Sequence, residues 1–332
     1  MTPLETTTLT KLDYWSLITV TGPDATDFLQ NQLTNSVQSI TATPTGSIAQ
    51  VNQQHRFAGY CSAKGRLQAS FWVSRIDIRS ETGEIIPEYR LLVSKDLASF
   101  ITKRLSMFVL RSKVKITDKS AAIKLYGLTH TGDKEVLRDI SALENIQVLE
   151  LPAVKANQAF FHRHIIYALG AAPENLEKHL PNQVITASSE IWDWLEVISG
   201  IPRVTEGTLE KFVPQMINME SLNGIDFKKG CYPGQEVVAR SQYRGTIKRR
   251  LQIASIEHVD TPKTGTDIFH SEDIDQPCGM VVLSARDPIN PKIIHLQVEC
   301  KLEALLQGQI HLGSPQGPIL TFDQLPYALI EI

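Results

Sequence analysis

The chain has 332 residues, a hydrophobic content of 42% and a formal net charge of −3 at pH 7. This length predicts about two domains, or three small ones, and is enough to bury several cores without disulfide bonds. The small negative charge excludes the whole molecule as a general polyanion binder. Any attraction for nucleic acid or an anionic ligand must therefore come from a local patch.

The four cysteines are far apart in the sequence, and none forms a CxxC pair. Zinc or an iron–sulfur cluster held by one chain usually needs closer ligands, so we predict no metal site. Sparse cysteines are typical of the reducing cytosol, which predicts a cytoplasmic protein. The N-terminus has no apolar signal region and no run reaches 18 apolar residues, so we expect neither a signal peptide nor a membrane-spanning helix.

The first third of the chain alternates short strands with helices. Trp15–Thr21 is predicted to be a strand, followed by a helix over Ala25–Asn35. The segment Cys61–Arg66 predicts a hairpin with Lys64-Gly65 as its turn. Further strands are predicted at Arg90–Ser94, Val114–Thr117 and Ala122–Tyr126, and a helix at Ala98–Val109. This alternation with antiparallel strands predicts an α+β fold.

The middle of the chain gives one strong helix signal, at Ser188–Ile198. Ser188 or Ser189 is a suitable N-cap, and Gly200 is suited to ending the helix. Trp192 lies about 100° away from Ile191 around this helix and therefore off its apolar stripe. A weaker pattern predicts a helix over Lys134–Asn145.

After Gly245 the pattern changes to short alternating apolar runs separated by Gly, Pro and Asp, which is typical of a small β-barrel or sandwich. We place a domain boundary near Arg244–Lys248. The predicted divisions are an N-terminal α+β lobe (1–117), a second α+β lobe (118–244) and a C-terminal β-barrel (245–332).

The segment Phe227–Glu236 carries the strongest chemical signal. Tyr-Pro-Gly-Gln at 232–235 predicts a type II turn, because Pro233 fixes φ and Gly234 supplies a positive φ. Cys231 lies just before this turn, beside two lysines and ahead of a predicted helix N-terminus. These features favour a thiolate. The alternative is a small buried residue in a tight loop.

The predicted helix over Gln235–Arg244 places Glu236, Arg240 and Arg244 on one face. The region around it is strongly basic, with Glu236 as its only acid. Such a strip could hold a phosphate backbone or a poly-γ-glutamate tail, whereas the alternative is a solvated surface. The seven basic residues are Lys228, Lys229, Arg240, Arg244, Lys248, Arg249 and Arg250.

The octapeptide KGCYPGQE at 229–236 is similar to the K-G-C-Y-x-G-Q-E signature of the YgfZ family, matching it over all eight positions. The resemblance covers most of the chain and is weakest over 80–187. Other segments that resemble the family are Trp15 with Thr21-Gly22, Phe28–Gln32, Ala63–Arg66, Trp192 through Pro202, and Phe212–Gln215 with Asn218.

The resemblance implies a fold shared with the glycine-cleavage T-protein. Two α+β lobes with mixed or antiparallel sheets would surround a central folate cavity, and a C-terminal β-barrel would follow. It also implies a folate-binding accessory role, with tetrahydrofolate as the ligand. That role is iron–sulfur cluster assembly or repair in certain enzymes, including those that methylthiolate tRNA. The implied partners are iron–sulfur enzymes or cluster-assembly proteins, with an indirect link to tRNA and none to DNA or membranes.

The resemblance also implies site residues. Trp15 and Trp192 fall on positions that line the family's folate site, and a pterin is a flat π-system that needs an aromatic face and polar groups along its rim. Without the resemblance, both tryptophans are better interpreted as core or interdomain anchors. Cys231 and Lys229 are the predicted catalytic pair. The remaining predicted folate contacts are Gln215, Asn218, Tyr232, Gln235, Glu236 and Arg240.

Two other function classes stay open from the sequence. One is a folate-dependent aminomethyl- or methyltransferase of T-protein type, although no motif assigns the T-protein's catalytic aspartate here. The other is a nucleic-acid-binding module that uses the basic strip. The chain has no recognised RNA-binding motif, which makes this class the least favoured.

Overall fold

A computed structural model describes residues 7–330 except 81, 133–136, 138–139, 144, 170–175, 177–183, 244 and 258. Half of the residues in the helix predicted at Lys134–Asn145 lie outside this description, as does Arg244. The helices whose bounds lie wholly within the described residues are α1 Ala25–Gln30, α2 Lys95–Ser106, α3 Glu190–Ile198 and α4 Gln235–Tyr243. Short 3₁₀ helices lie at Glu206–Thr208, Pro214–Ile217 and Leu302–Leu305. Within the described ranges, no helix has the length and apolar character needed to cross a bilayer.

Strands make up most of the regular structure and are numbered in chain order. They are β1 Thr7–Lys11, β2 Trp15–Thr21, β3 Ile48–Ala49, β4 His55–Cys61, β5 Leu67–Arg79, β6 Ile85–Ser94, β7 Lys115–Asp118, β8 Ile123–His130, β9 Ile146–Ala156, β10 Ala159–Leu169, β11 Val184–Thr186, β12 Arg249–Glu257, β13 Asp267–His270, β14 Asp273–Arg286, β15 Ile293–Lys301, β16 Ile310–Leu312 and β17 Thr321–Asp323.

These strands form three sheets. The first is antiparallel with the order β4-β5-β6-β2-β7. The second is mixed, β11-β1-β8-β10-β9-β3, with parallel pairs at β1–β11 and β3–β9. The third is a curled antiparallel half-barrel, β16-β13-β14-β15-β12-β17. The predicted α+β class with mixed and antiparallel sheets is confirmed, whereas the closed barrel predicted for the C-terminal part is not shown.

The second sheet takes strands from both predicted lobes. Strands β1 and β3 come from residues 1–117 but pair with β8, β9 and β11, all of which follow residue 118. The N-terminal part of the chain therefore contributes strands to both the first and the second sheet. The division at 117 stays a prediction about domains.

The largest core cluster combines side chains of the first two sheets and of α3 with residues of the third sheet, among them Leu251 and Val282. The third sheet contacts the C-terminal end of helix α3 through Gln297 of β15, whose side chain is fully buried. Its amide nitrogen donates to the carbonyls of Glu196, Val197 and Ile201 at 3.1, 2.9 and 3.3 Å. Gly200, with φ +65°, ends the helix as predicted. The three sheets thus meet at the residues around this helix.

Local turn signals gave accurate predictions, whereas helix bounds were less accurate. The helix predicted at Ala98–Val109 is α2, which begins and ends three residues earlier, at Lys95 and Ser106. The Cys61–Arg66 hairpin turn is confirmed, and Gly65 has φ +71°. The helix predicted over Ala25–Asn35 ends at Gln30 because Leu33 pairs with Tyr60, and the Thr34 amide donates to the Gly59 carbonyl at 2.9 Å. Contacts with β4 thus replace the last turn of the helix.

His55 at the start of β4 makes the stability depend on pH. The ring is fully buried, lies 2.6 Å (Nε2) from the Glu150 carbonyl oxygen and packs edge-on against Trp72. Burial lowers the pKa of His55 from 6.5 to about 4. Below pH 6.5 His55 becomes protonated in the unfolded chain but stays neutral in the folded chain. The free energy of unfolding therefore falls as the pH drops towards 4. The loss is about 3 kcal/mol.

The measurement is urea unfolding of the wild type and of His55→Gln between pH 7 and pH 4. We expect the difference in unfolding free energy between the two proteins to shrink across this window. A constant difference would show that His55 is not neutral in the folded state.

Candidate functional site

The cysteine loop (residues 227–235) has the predicted turn at its centre. The Gln235 amide donates to the Tyr232 carbonyl at 3.1 Å, and Gly234 has φ +78°. Helix α4 begins at Gln235, also as predicted. Cys231 is a free thiol, and it is exposed, whereas Cys61, Cys278 and Cys300 are buried. The tight-loop alternative with a buried cysteine is therefore wrong.

The cysteine loop packs against the turn between β4 and β5 through glycines. A Cβ atom on Gly234 would lie 2.4 Å from the Ser62 carbonyl oxygen, and one on Gly65 would lie 2.8 Å from the Cβ of Val237. Only glycine permits this approach, and both glycines also have a positive φ. The hairpin turn is therefore the surface that supports the thiol.

Lys229 holds the loop to the end of α1. Its ammonium group donates to the carbonyls of Gln30 and Leu33, the latter at 2.6 Å, and lies 5.0 Å from the centre of the Tyr232 ring. Burial lowers the pKa of Lys229 from 10.5 to about 8, while Asp226 and Cys231 act in the opposite direction. Lys229 thus has a structural role that its prediction as a catalytic residue did not include.

Replacing Lys229 with methionine should leave the carbonyls of Gln30 and Leu33 without this donor. Since an unmade buried hydrogen bond is costly, we expect the free energy of unfolding to fall by about 1–3 kcal/mol. Urea unfolding measures it. Lys228→Met is the matched control, because the Lys228 side chain is exposed. Equal stability of the two variants would contradict the proposed anchoring.

Three of the seven basic residues predicted to form a strip between residues 228 and 250 make ion pairs, so the strip carries less free positive charge than the sequence indicated. Arg249 pairs with Glu299, and Arg250 pairs with Glu220 in the protein interior. Arg240 pairs with Glu236 at 2.8 Å on the exposed face of α4, as its spacing predicted. Two of these acids lie outside the strip itself, so counting its charges alone could not reveal them.

A separate cavity lies where α3 meets the first two sheets. It spans about 370 Å³, including the space that opens to solvent. Both predicted tryptophans, Trp15 and Trp192, line it, and we call it the tryptophan cavity. Its other lining residues are Phe57, Ser70, Phe71, Trp72, Leu151, Arg163, Glu196, Ser199, Ile201, Pro202 and Arg203.

The tryptophan rings are more deeply covered than the sequence pattern indicated. Trp192 is 1% exposed and Trp15 is 6% exposed. A Cβ atom on Gly127 would lie 2.3 Å from the Trp192 ring, so that ring packs directly on strand β8. A flat ligand can therefore enter only if side chains of the cavity move apart. The expectation that Trp192 is free of core packing is wrong.

Three charged residues of the tryptophan cavity were not predicted. Arg203 forms a two-pronged pair with Glu196 at 2.8 and 3.3 Å, and its guanidinium lies 5.2 Å from the centre of the Trp15 ring. Arg163 is buried, and burial lowers its pKa to about 10. Two sequence signals were available: Glu196 lies one helical turn after Trp192, and Arg163 shares the inward face of β10 with Phe161 and Ile165.

Several polar atoms at the tryptophan cavity have no hydrogen-bond partner among the described residues. They are Nε1 of Trp15, Nε1 of Trp192 and Nε of Arg163. Buried donors normally have partners, so three unpaired N–H groups at one cavity suggest a site for a ligand with acceptor atoms. In the same described ranges, no cluster of three or more His, Cys, Asp or Glu side chains is arranged to hold a metal ion.

The other predicted folate contacts lie elsewhere. Gln215 and Asn218 are fully buried, and their amides donate to the carbonyls of Val238 and Leu251 at 2.8 and 2.9 Å. None of the eight signature residues lines the tryptophan cavity. The predicted residues therefore separate into two groups, the cysteine loop with its supports and the pair of tryptophans, and Cys231 is not among the residues that line the tryptophan cavity.

Comparisons with known proteins support one family. No family model matches the sequence. The tRNA-modifying protein YgfZ of Edwardsiella ictaluri is 31% identical over 256 residues, which cover 74% of this chain and 70% of that protein. The YgfZ protein of Yersinia enterocolitica is 28% identical over 98% of this chain and 93% of its own length.

The fold is similar to a solved structure, the glycine cleavage system aminomethyltransferase T from Bartonella henselae. The TM-score is 0.64 with 14% sequence identity, and the match covers 98% of this chain and 87% of the other. This similarity shows a T-protein-like fold.

Proposed function

The chain belongs to the family of the tRNA-modifying protein YgfZ, and we propose that it binds a folate and supports the iron–sulfur-dependent modification of tRNA. In this proposal tetrahydrofolate occupies the tryptophan cavity, and Cys231 is the functional thiol on a separate surface. The partners are iron–sulfur enzymes or cluster-assembly proteins, so the link to tRNA is indirect. The cytoplasmic location predicted from the cysteines belongs to the same proposal.

One observation carries the ligand part of this proposal: the unpaired indole N–H groups of Trp15 and Trp192 at a single cavity. A pterin offers a flat π-system and several acceptor atoms along its rim, which match aromatic walls and buried donors. Arg163 supplies a third unpaired N–H, and Glu196 supplies a carboxylate. When bound, the folate would supply a one-carbon carrier.

The thiol part of the proposal depends on the way in which the cysteine loop presents Cys231. The thiol is exposed, the loop beneath it is fixed by Lys229 and by the glycine contacts, and Gly230 has open space where a Cβ would be. A rigid loop with a free approach suits a thiol that meets a partner protein. A persulfide, a cluster sulfide or a partner thiol are the groups it would meet.

A transferase of T-protein type is the less favoured function. The similarity to the T-protein is one of fold at 14% identity, and the relatives with higher identity are named as tRNA-modifying proteins. Fold alone does not determine function. Turnover of candidate amines with tetrahydrofolate to methylene-tetrahydrofolate would favour the transferase.

Titration with tetrahydrofolate, followed by tryptophan fluorescence, tests the ligand and its site together. We expect saturable quenching in the wild type, and about two- to tenfold weaker binding in Trp192→Phe because the indole N–H is lost. Trp194→Phe is the matched control, since Trp194 lies on the same helix, is 4% exposed and does not line the tryptophan cavity.

Two results would contradict the proposed site. Fluorescence that does not change with added tetrahydrofolate would exclude folate as the ligand. Equal affinity in Trp192→Phe and Trp194→Phe would place the folate at another position.

A further inference from the structure

Trp15 also lines a second cavity. It spans about 770 Å³, including space open to solvent, at the junction of the first two sheets. Strand β8, the loop between β1 and β2, and the start of α2 form its walls. Its lining residues are Lys11, Leu12, Asp13, Trp15, Lys95, Ser120, Ile123, Lys124, Leu125 and Tyr126.

Three exposed lysines dominate the charge of this lysine pocket: Lys11, Lys95 and Lys124. None of them forms an ion pair with a described residue. Asp13 is the acid among the lining residues, which leaves a local excess of two positive charges. In the basic strip, by contrast, Arg240, Arg249 and Arg250 are each paired with a glutamate.

Backbone geometry adds to the positive potential. Lys95 is the first residue of the twelve-residue helix α2, so the positive end of the helix dipole lies at the pocket wall. The preceding Ser94 makes no side-chain capping hydrogen bond to the helix, and its hydroxyl accepts from Arg203 at 3.0 Å. The Lys95 amide donates to the Tyr14 carbonyl at 2.9 Å and Asp96 lies in the first turn, so the later amides of that turn are the ones left for a ligand. Helix N-termini without a side-chain cap are favourable places for carboxylate and phosphate groups.

Trp15 connects this pocket to the proposed folate site. The same side chain lines both cavities, and its buried indole N–H has no partner among the described residues. A ligand that fills both spaces would therefore be flat and aromatic at one end and anionic at the other.

Resting on the proposed folate function, we propose that the lysine pocket binds the glutamate carboxylates of the folate whose ring occupies the tryptophan cavity. Lys11 and Lys124 contribute point charges, and the start of α2 adds its dipole. The pocket therefore favours folates that carry several glutamates over those with one. Since its cations are exposed, this preference weakens as salt is added.

The test compares three probes by fluorescence titration: tetrahydrofolate triglutamate, tetrahydrofolate monoglutamate and 6-methyltetrahydropterin, which has no glutamate. In the wild type we expect affinity to rise with the number of glutamates. In the double variant Lys11→Gln/Lys124→Gln the triglutamate should bind about three- to tenfold more weakly, while the pterin binds as before. Lys292→Gln, a substitution in the loop before β15, is the matched control and should behave as the wild type.

The outcomes separate this inference from the proposed function. If no probe binds the wild type, the folate function fails. If all three bind and the double variant keeps the full preference for the triglutamate, the lysine pocket is not the glutamate site. Equal weakening of every probe would also overturn the inference, as would a variant that loses affinity for tRNA but not for folates, since the pocket would then serve RNA phosphates.

Discussion

Replacing Arg250 with alanine is expected to lower the free energy of unfolding by about 3–5 kcal/mol, because Glu220 would be left as a buried, uncompensated charge. Both side chains are almost completely covered. The guanidinium of Arg250 pairs with Glu220 and also donates to the carbonyls of Gln215 and Ile330, both at 3.3 Å. One side chain of β12 thus fixes the segment that precedes the cysteine loop and the end of the chain.

Urea unfolding of three variants checks this prediction. Arg240→Ala breaks an exposed pair on α4, and we expect a change of at most about 0.5 kcal/mol. The double variant Arg250→Met/Glu220→Leu removes both charges and should recover most of the loss, because a well-packed apolar pair can replace a buried ion pair. A loss in Arg250→Ala no larger than that in Arg240→Ala would contradict the role given to the buried pair.

Under the proposed function, Cys231→Ala is expected to abolish tRNA methylthiolation. In a strain that lacks the gene, this variant should leave methylthiolated tRNA at the level of the empty strain, while the wild-type chain restores it. The physical reason is that alanine keeps the exposed loop but removes the nucleophile, since the thiolate is the reactive form of cysteine. Mass spectrometry of tRNA nucleosides measures the result.

The interpretation needs a folded variant. Because the Cys231 side chain is exposed, the purified Cys231→Ala protein should differ in unfolding free energy by about 0.5 kcal/mol or less. It should also bind tetrahydrofolate as the wild type does, since Cys231 does not line the tryptophan cavity. Full restoration of methylthiolation by Cys231→Ala would remove the cysteine from the function.

Local signals in the sequence were sufficient for the turns and most strands. The type II turn at Tyr232–Gln235 and the end of α3 at Gly200 depend on residues with restricted or special φ angles, and those preferences act within a few residues. The exposed cysteine followed from the same local pattern. Helix α1 was predicted too long because the Leu33–Tyr60 pairing joins residues that are distant in sequence.

The candidate site was predicted only in part, for the same physical reason. Arg163, Glu196 and Arg203 meet at the tryptophan cavity from a strand of the second sheet, from α3 and from the segment after it. Nothing in the spacing of these residues places them together. The neutralisation of Arg249 and Arg250 likewise depends on Glu299 and Glu220, which only the folded chain brings close. The lysine pocket could not be predicted for the same reason, because Lys11, Lys95 and Lys124 come together only where the first two sheets meet.

The β4–β5 hairpin contributes to both parts of the proposed site, the tryptophan cavity and the cysteine loop. Near its base Phe57 and Trp72 face each other across the two strands and line the tryptophan cavity, while its turn supports Gly234 in the cysteine loop. Backbone pairing continues between these ends, and elements paired in this way tend to open and close as a single cooperative unit. Under the proposed function, ligand retention and presentation of the thiol would share one local unfolding equilibrium, so a sequence change that loosens this ribbon would weaken both together.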